Sequence, residues 1–407
     1  MAGMVIVGGG LAAGTAAQTL REEGYEGDVT VIADEPHTPY QRPPLSKGYL
    51  KGDEGLDAVI LHPDDWYREQ RIDVRQSTHA DAIDTAAHTV TLSDGSTIGY
   101  DKLLLATGSS PRVLPIPGHD LPGVYMLRRL ADSDALKAEL SAGGKKLVLI
   151  GSGWIGMEVA ATAKQLGNDV VILERDPVPL AIALGADMGT VFRRMHEQNG
   201  IDLRTSVNVE SITGDTHATG VVVDGQTVPA DLVLIGVGAI PNTKLAEDAG
   251  IAVERGILTD ASLRTSDPDV YAAGDVANAE HPVLGERVRS EHWANALNSG
   301  PVAAKAMLGQ DVQHDMIPYF YSDQFDLGME LSGYPSLMRD AKLVIRGDVD
   351  KREFIVFWVQ GARVVGGMNV NVWDVNEDVQ KLIGSGADVD LDKLADPNVP
   401  LTELVTA

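Results

Sequence analysis

The first residues of the chain combine a short apolar run with a glycine-rich turn. The run "MVIV" (4–7) is apolar at every position, as expected of a strand buried on both faces of a parallel sheet. It is followed by "GGGLAAG", by a helical pattern that continues through Arg21, and by a second strand, "DVTVIAD", which ends at Asp34. This order predicts one strand–turn–helix–strand unit of an α/β fold.

The same order of elements returns in "KKLVLIGSGWIGMEVAATAKQLGNDVVILERD". The pattern predicts a strand over 146–150, a helix that ends near Leu166, and a second strand over 169–173, with Glu174 at its end. A single glycine fingerprint is weak evidence, since glycine turns occur in many α/β sheets. Two complete units in one chain predict two dinucleotide-binding domains.

The fingerprint residues of both units suit a pyrophosphate. They are Gly8, Gly10, Ala13, Gly151, Gly153 and Gly156. Glycine permits a tight turn and a close approach of the backbone to the ligand, while the helix N-terminus supplies free N–H groups and a positive potential. Asp34 and Glu174 are placed to accept hydrogen bonds from an adenosine ribose.

The acid of the second unit bears on the choice of nicotinamide cofactor. The Glu174 carboxylate can accept from the 2′-hydroxyl of NAD and would repel the extra phosphate of NADP. The sequence therefore favours NADH, although the adjacent Arg175 leaves NADPH open.

Three later stretches also fit a protein with two nucleotides. The stretches "YDKLLLATGSSPR" (100–112) and "ADLVLIGVGAIPN" (230–242) each predict a buried strand that leads into a glycine turn, and each is suited to carry the chain between domains. The stretch "DVYAAGDVAN" (269–278) predicts a short strand followed by Asp275. A carboxylate at the C-terminal end of such a strand is well placed to bind polyol hydroxyls.

Length and composition narrow the classes of protein. At 407 residues the chain is long enough for two or three domains. Its 33 Lys and Arg residues against 59 Asp and Glu give a formal charge of −26, which argues against general binding to nucleic acids or anionic membranes. No signal-peptide pattern and no apolar stretch of about 20 residues is present, which predicts a cytoplasmic protein.

The chain contains no cysteine. Disulfides, thiolate nucleophiles, cysteine-ligated zinc and protein-bound iron–sulfur clusters are thereby excluded. Its ten histidines show no spacing typical of a metal site, so we expect no metal. Any redox chemistry must therefore use a bound cofactor.

Taken together, the motifs resemble those of a known group of flavoproteins. In chain order they are "RPPLSK", "LLLATG", "LRRLADSDAL", "GSGWIGMEVA", "GVGAIPN", "YAAGDVA", "RSEHWANAL" and "YFYSDQF". Over nearly its whole length the chain is similar to the FAD-dependent NADH:ferredoxin reductases of bacterial oxygenase systems, of the putidaredoxin reductase and biphenyl dioxygenase ferredoxin reductase type. These are glutathione-reductase-like flavoproteins, and "RPPLSK" and "SDQ" narrow the resemblance to this branch.

The resemblance implies a fold class and a domain order. We expect an α/β protein with two Rossmann-like dinucleotide-binding domains of glutathione-reductase type and a smaller α+β C-terminal domain. The FAD-binding domain would be split between 1–111 and 240–317. The NAD-binding domain would comprise 112–239, and the C-terminal domain 318–407.

The resemblance also implies the residues of both cofactor sites. For FAD they are Gly8, Gly10, Ala13, Asp34, Arg42, Lys47, Ala80, Arg128, Asp275 and the backbone at Trp293. For NADH they are Gly151, Gly153, Gly156, Glu158, Glu174 and Gly238. Lys47 and Glu158 would contact each other and form the catalytic centre.

An enzyme of this kind takes a hydride from NADH onto FAD and passes single electrons to a small iron–sulfur ferredoxin. Pro43 and Pro44 suit the first turn of a helix, which would carry Lys47 toward the flavin. Arg42 would offer a fork of donors to the pyrophosphate. A helix that starts near Ser290 would direct its positive end at the flavin.

Two features bear on the electron partner. Tyr319 and Tyr321 stand where relatives usually carry tryptophan, which leaves aromatic rings but no indole. An acidic ferredoxin would need a positive surface, because the whole chain is acidic. The candidates are Arg287, Arg289, Arg339, Lys342, Arg346, Lys351 and Arg352.

Other interpretations of the same residues stay open. Lys47 also fits a solvated lysine, and Glu158 fits an acid favoured by the dipole of a helix first turn. Trp154 fits a packing residue as well as a nicotinamide gate. The protein would then still be a flavoprotein, but it could serve as an NADH oxidase, as a quinone or rubredoxin reductase, or as an NADH-responsive binding protein like apoptosis-inducing factor. We expect a monomer or a homodimer.

Overall fold

The computed structural model describes residues 3–404, which form a mixed α/β protein. The strands are β1 (Gly3–Val7), β2 (Val29–Ile32), β3 (Ile72–Arg75), β4 (Ala80–Asp84), β5 (Thr89–Leu92), β6 (Thr97–Leu105), β7 (Ser109–Pro111), β8 (Val124–Tyr125), β9 (Lys146–Ile150), β10 (Asp169–Leu173), β11 (Asp202–Arg204), β12 (Val209–Thr213), β13 (Gly220–Val223), β14 (Gln226–Pro229), β15 (Leu232–Ile235), β16 (Ala239–Pro241), β17 (Ile257–Thr259), β18 (Val270–Ala272), β19 (Ala277–His281), β20 (Glu286–Val288), β21 (Tyr319–Gln324), β22 (Leu327–Gly333), β23 (Lys342–Asp348), β24 (Glu353–Gln360) and β25 (Arg363–Val370). The helices are α1 (Leu11–Glu22), α2 (Gly48–Lys51), α3 (Asp64–Glu69), α4 (Leu130–Leu140), α5 (Trp154–Gln165), α6 (Ala181–Gln198), α7 (Lys244–Asp248), α8 (Trp293–Met307), α9 (Pro335–Met338), α10 (Asn376–Ser385) and α11 (Leu391–Ala395). Short 3₁₀ turns cover Pro43–Ser46, Leu56–Ala58, Gly274–Val276 and Leu401–Glu403.

The chain divides into two compact units. Unit 1 comprises the segment that ends at Pro43, Gly55–Ser110 and Ala239–Met316. Unit 2 comprises Pro44–Glu54, Pro111–Gly238 and the segment that begins at Ile317. The segment Pro44–Glu54 therefore belongs to unit 2, although the sequence placed it in the first domain. The division into three domains stays a prediction.

Unit 1 is built on a mostly parallel sheet around β1. The strands follow the order β3-β2-β1-β6, and β18 pairs in parallel with the C-terminal half of β6. The chain leaves β1 toward β2 and later returns to the other side of β1 as β6, so the strand order reverses there. In open α/β sheets this reversal marks the crevice in which ligands bind.

Small residues bring helices α1 and α8 of unit 1 close together. A Cβ at Gly300 of α8 would lie 2.4 Å from the Ala12 carbonyl oxygen of α1, so glycine is required by the approach. Ala16, Ala303 and Leu20 are fully buried and belong to the same apolar core. This packing holds the two helices side by side within unit 1.

Unit 2 contains a second parallel sheet and an antiparallel C-terminal sheet. The parallel strands follow the order β11-β10-β9-β15-β8, and the order reverses at β9 as it does at β1 in unit 1. The C-terminal sheet follows the order β21-β22-β25-β24-β23 and is antiparallel throughout. Helix α10 packs on this sheet so closely that a Cβ at Gly367 would lie 2.5 Å from Val379.

A helix begins at the two prolines as expected, but it is a single 3₁₀ turn that ends at Ser46, so the prediction that it carries Lys47 was wrong. Pro43–Ser46 is a 3₁₀ turn, and Lys47 lies between this turn and α2, with φ −123° and ψ −116°. The carbonyl of Leu45 accepts from Ser133 Oγ at 2.8 Å, and that of Ser46 accepts from Thr162 Oγ1 at 2.8 Å. Side chains thus satisfy two carbonyl groups at the end of the turn.

No helix among the described residues combines the length and the apolar character that a membrane crossing requires.

Candidate functional site

The first glycine turn lies in unit 1, between β1 and α1. Gly8 has φ +138°, and a Cβ there would lie 2.1 Å from the Ala106 carbonyl oxygen. Gly10 is the N-cap of α1, and a Cβ there would meet no atom within 4 Å. Ala13 is fully buried in the first turn of the helix. The turn therefore leaves open space before the free N–H groups of a helix, which suits a phosphate.

The second glycine turn repeats this geometry in unit 2. Gly151 has φ +98°, and a Cβ there would lie 2.4 Å from the Gly236 carbonyl oxygen. Gly153 is the N-cap of α5, and the nearest atom to its Cβ would be 4.0 Å away. A Cβ at Gly156 would lie 2.7 Å from the Gly151 carbonyl oxygen, so this glycine allows helix and strand to pack closely.

The acid after each second strand is placed differently in the two units. Asp34 is exposed, two residues beyond the end of β2. The Glu174 carboxylate turns back to the glycine turn: one oxygen accepts from the backbone N–H and the hydroxyl of Ser152, at 2.8 and 2.6 Å. The other accepts from the Asp176 N–H at 2.8 Å. Glu174 is thereby held beside the turn with its negative charge.

Arg42 of unit 1 is anchored by two neighbours. Its Nη2 lies 3.2 Å from Glu35 Oε1, and its Nη1 donates to the Tyr40 hydroxyl at 2.9 Å. The same hydroxyl donates to Glu35 Oε2 at 2.7 Å. Glu35 was not predicted from the sequence to contact Arg42, and the feature that points to it is its position directly after Asp34.

The remaining residues assigned to FAD are distributed over both units. Buried Asp275 follows β18 and accepts from Ser109 Oγ at 3.0 Å, and Trp293 begins α8 and donates from Nε1 to Gln41 Oε1 at 3.0 Å. Ala80 begins β4 in unit 1. Lys47 and Arg128 belong to unit 2. Helix α8 starts three residues after the Ser290 that the sequence indicated.

All residues assigned to NADH lie in unit 2. Gly238, after β15, has φ +103°, and a Cβ there would meet no atom within 4 Å. It therefore offers the same open backbone surface as Gly153.

Lys47 and Glu158 form an ion pair. Lys47 Nζ lies 2.8 Å from Glu158 Oε2, with 18% of the lysine side chain and 5% of the glutamate side chain exposed. Glu158 lies in the second turn of α5, on its buried side. Ser46 Oγ donates to Oε2 at 2.5 Å, and Ser322 Oγ donates to Oε1 at 2.7 Å. Lys47 is therefore not a solvated lysine at a helix end, and Glu158 is not an acid of the helix first turn.

Four residues around this pair were not predicted from the sequence to belong to the site. Two of them, Ser46 and Ser322, touch Glu158 directly. Gln324 Nε2 donates to Ser322 Oγ at 3.1 Å, and His196 Nε2 lies 2.9 Å from Gln324 Oε1. The motif "SDQ" could have identified two of them, because Ser322 and Gln324 are polar residues two positions apart and so lie on the same, buried face of a strand.

Burial perturbs two titratable groups near the pair. It lowers the pKa of His196 to about 4, so the imidazole is neutral at pH 7. It raises the pKa of Tyr321 to about 12, so the phenol stays protonated. The Tyr321 ring lies 5.6 Å from Lys47 Nζ, which places an aromatic face beside the ammonium group.

Trp154 is a packing residue in this structure. Its ring centroid lies 4.5 Å from that of Phe320 and 5.7 Å from that of Phe192. It thereby joins helices α5 and α6 to strand β21 within unit 2.

The candidate basic residues do not all carry free charge. Arg287 pairs with Glu280 at 2.7 Å and Arg289 with Glu291 at 2.5 Å, while Arg352 pairs with Asp326. Buried Arg346 donates to the backbone carbonyl of Val399, and Lys351 pairs with Asp348. Arg339 and Lys342 are exposed. Over residues 3–404 no group of three or more His, Asp or Glu residues is arranged to hold a metal ion.

The fold and both glycine turns agree with the comparisons with known proteins. The chain belongs to the pyridine nucleotide-disulphide oxidoreductase family, whose model matches residues 3–300. The model of a second domain, Reductase C-terminal, matches residues 319–405. The predicted fold class, two dinucleotide-binding folds followed by a smaller C-terminal domain, is confirmed.

Particular relatives are similar over nearly their full length. The probable ferredoxin reductase CtmF of Castellaniella defragrans is 37% identical over 98% of both chains. The anthranilate 1,2-dioxygenase system ferredoxin–NAD(+) reductase component of Burkholderia cepacia is also 37% identical over 98% of both. The putidaredoxin reductase chain from the structure of its covalent complex with putidaredoxin matches with TM-score 0.94 and 34% identity, over 99% of this chain and 98% of that one. The resemblance stated from the motifs is confirmed.

Proposed function

We propose that the protein is an FAD-dependent NADH:ferredoxin reductase that serves a monooxygenase or a Rieske-type dioxygenase. The observation that carries this proposal is the buried ion pair of Lys47 and Glu158, 2.8 Å apart, in which Glu158 lies on α5, the helix of the second glycine turn. The names of the relatives support it, since CtmF is a probable ferredoxin reductase and the Burkholderia protein is a component of a dioxygenase system.

The residues of unit 1 fit FAD. The open space at Gly10 and the N-terminus of α1 would receive the pyrophosphate, and Arg42 would add its guanidinium. Asp34 would accept from the ribose, and buried Asp275 from the polyol chain. Bound FAD would supply the chemistry of accepting a hydride and releasing electrons singly.

The residues of unit 2 fit NADH. Gly151, Gly153 and Gly156 leave the start of α5 open to a pyrophosphate, and Gly238 leaves a second open backbone surface. Glu174 would accept from the 2′-hydroxyl, and its charge would disfavour NADPH.

Lys47 and Glu158 would position the reacting rings. Glu158, held by two serine hydroxyls, would accept from the nicotinamide carboxamide and keep the Lys47 ammonium in place. Lys47 would direct positive charge at the flavin, where negative charge grows on reduction. Orientation of this kind is worth several kcal/mol in a transfer that needs close approach of two rings.

The absence of cysteine separates this chain from disulfide-reducing members of the family. With no thiol pair to receive electrons, the reducing equivalents would pass from FAD to the partner directly. The partner would be a small iron–sulfur ferredoxin in the cytoplasm, and the reductase would be a monomer or a homodimer.

Steady-state oxidation of NADH by the FAD-loaded protein tests this proposal. We expect fast turnover with ferredoxins of oxygenase systems and slow turnover with oxygen, quinones or rubredoxin. Fast oxidation by oxygen or a quinone with none by any ferredoxin would refute it. Size-exclusion chromatography with and without NADH covers the remaining alternative, because an association driven by NADH without turnover would indicate a binding protein.

A further inference from the structure

Four buried polar side chains form a continuous line of hydrogen bonds from helix α6 to the ion pair. The line runs from His196 to Gln324 (2.9 Å), from Gln324 to Ser322 (3.1 Å) and from Ser322 to Glu158 (2.7 Å). His196 and Ser322 have no exposed surface, and Gln324 has 1%. All four residues belong to unit 2.

The chemistry of each group gives every link one direction. A carboxylate only accepts, so the Ser322 hydroxyl donates to Glu158 Oε1. The Ser322 oxygen then accepts from the NH₂ group of Gln324, which directs the amide carbonyl at His196. A carbonyl also only accepts, so His196 must carry its hydrogen on Nε2.

The other tautomer of His196 would reverse the line. With hydrogen on Nδ1, the Nε2 atom would accept, and the Gln324 amide would have to turn over. The amide carbonyl would then take the Ser322 hydroxyl, and Glu158 Oε1 would lose its donor. A buried carboxylate oxygen without a donor is unfavourable, so the charge on Glu158 selects the Nε2–H tautomer.

The histidine has no second hydrogen bond that would select a tautomer independently. His196 Nδ1 has no hydrogen-bond partner among residues 3–404 and is fully buried. The state of His196 and the orientation of the carboxylate are therefore linked only through Gln324 and Ser322.

We propose that His196 is a positioning residue for hydride transfer, which acts on Glu158 through Gln324 and Ser322. This inference rests on the proposed function. Ser322 holds one carboxylate oxygen, and this leaves the other to Lys47 at 2.8 Å and Ser46 at 2.5 Å. With both oxygens held, the carboxylate cannot rotate, and Lys47 keeps its position.

Four variants test the role of the line. His196→Phe removes the donor, Ser322→Ala removes the last link, and His196→Gln restores an amide N–H at the place of Nε2. Ser332→Ala is the matched control, because Ser332 is equally buried on the neighbouring strand β22 but donates to Asn376. Each variant is loaded with FAD and mixed rapidly with NADH in the absence of oxygen, and the rate constant of flavin reduction and the Kd for NADH are measured.

We expect the rate constant to fall on the order of tenfold to a hundredfold in His196→Phe and Ser322→Ala, since a displacement of about 1 Å has effects of this size. The Kd for NADH should stay the same, and His196→Gln should recover most of the rate. A wild-type rate in both deletion variants, or an equal loss in Ser332→Ala, would overturn the proposal.

A second readout needs no turnover. In protein with ¹⁵N-labelled histidine, NMR should show a neutral His196 with an exchange-protected Nε2–H, identified by its loss in His196→Phe or in His196→Gln. This signal should shift in Ser322→Ala and stay in place in Ser332→Ala. A hydrogen on Nδ1, or a charged imidazole at pH 7, would overturn the positioning role. Failure of the wild type to oxidise NADH would instead refute the proposed function, so the two failures are distinguishable.

Discussion

Replacement of Lys47 by methionine tests how strongly the ion pair depends on burial. The variant leaves the Glu158 carboxylate, whose side chain is 5% exposed, without its cation. Removing one partner of a buried pair costs about 3–5 kcal/mol. Because the hydroxyls of Ser46 and Ser322 still donate to Glu158, we expect a loss near the lower limit, about 3 kcal/mol. Chemical denaturation followed by tryptophan fluorescence measures the change in the free energy of unfolding.

The chain offers a matched control for this variant. Lys244 Nζ and Asp248 Oδ2 are also 2.8 Å apart, but their side chains are 85% and 54% exposed. Lys244→Met should therefore leave stability unchanged. The double variant Lys47→Met with Glu158→Gln should lose less stability than the sum of its two single changes, since no unpaired charge remains. Equal effects of Lys47→Met and Lys244→Met would refute the reasoning.

Three further predictions concern cofactor choice, the glycine turn and pH. Glu174→Gln removes the charge held beside the second glycine turn, so the preference for NADH over NADPH in kcat/KM should fall by about tenfold; an unchanged ratio would show that Glu174 does not select the cofactor. Gly153→Ala adds a methyl group where the nearest protein atom is 4.0 Å away, so it should raise KM for NADH and lower Tm only slightly, through the loss of a glycine N-cap. Gly151→Ala, at φ +98°, should lower Tm more, and equal Tm losses would contradict this. Acid should destabilise the protein through His196 and His314, because burial lowers each pKa from 6.5 to about 4 and only the unfolded chain takes up the proton in that range. The contribution of these groups to the free energy of unfolding is complete above pH 6.5 and should fall by about 3 kcal/mol for each as pH drops to 4. His196→Phe should remove half of this loss, as measured by denaturation curves across that pH range.

The sheet strands around the second glycine turn could be predicted to the residue. The runs 146–150 and 169–173 each have one charged residue followed by four apolar ones between turn signals, and they are β9 and β10. The helix between them was also correct to within one residue, because glycine stands at its start and a polar turn at its end. The local pattern of apolar residues and turn signals is therefore sufficient to predict the bounds of these elements.

The candidate site could be predicted only in part. The contact between Lys47 and Glu158 was expected from the resemblance, since no local pattern joins residues so far apart in the chain. The line that ends at His196 was not expected, because it depends on side chains of α6 and β21 that lie 128 residues apart in the chain. The end of the 3₁₀ turn at Ser46 was not predicted either, and the side chains that bond its last carbonyl groups, Ser133 and Thr162, come from distant segments.

Direct hydride transfer between two nucleotides bound to this chain is the central claim. It is tested by mixing the FAD-loaded protein, without oxygen, with NADH that carries deuterium at the transferred position. We expect the visible flavin absorbance to bleach in a single fast phase, more slowly with deuterium than with hydrogen, and to return when ferredoxin is added. Absorbance that NADH leaves unchanged, or that ferredoxin does not restore, would contradict the claim.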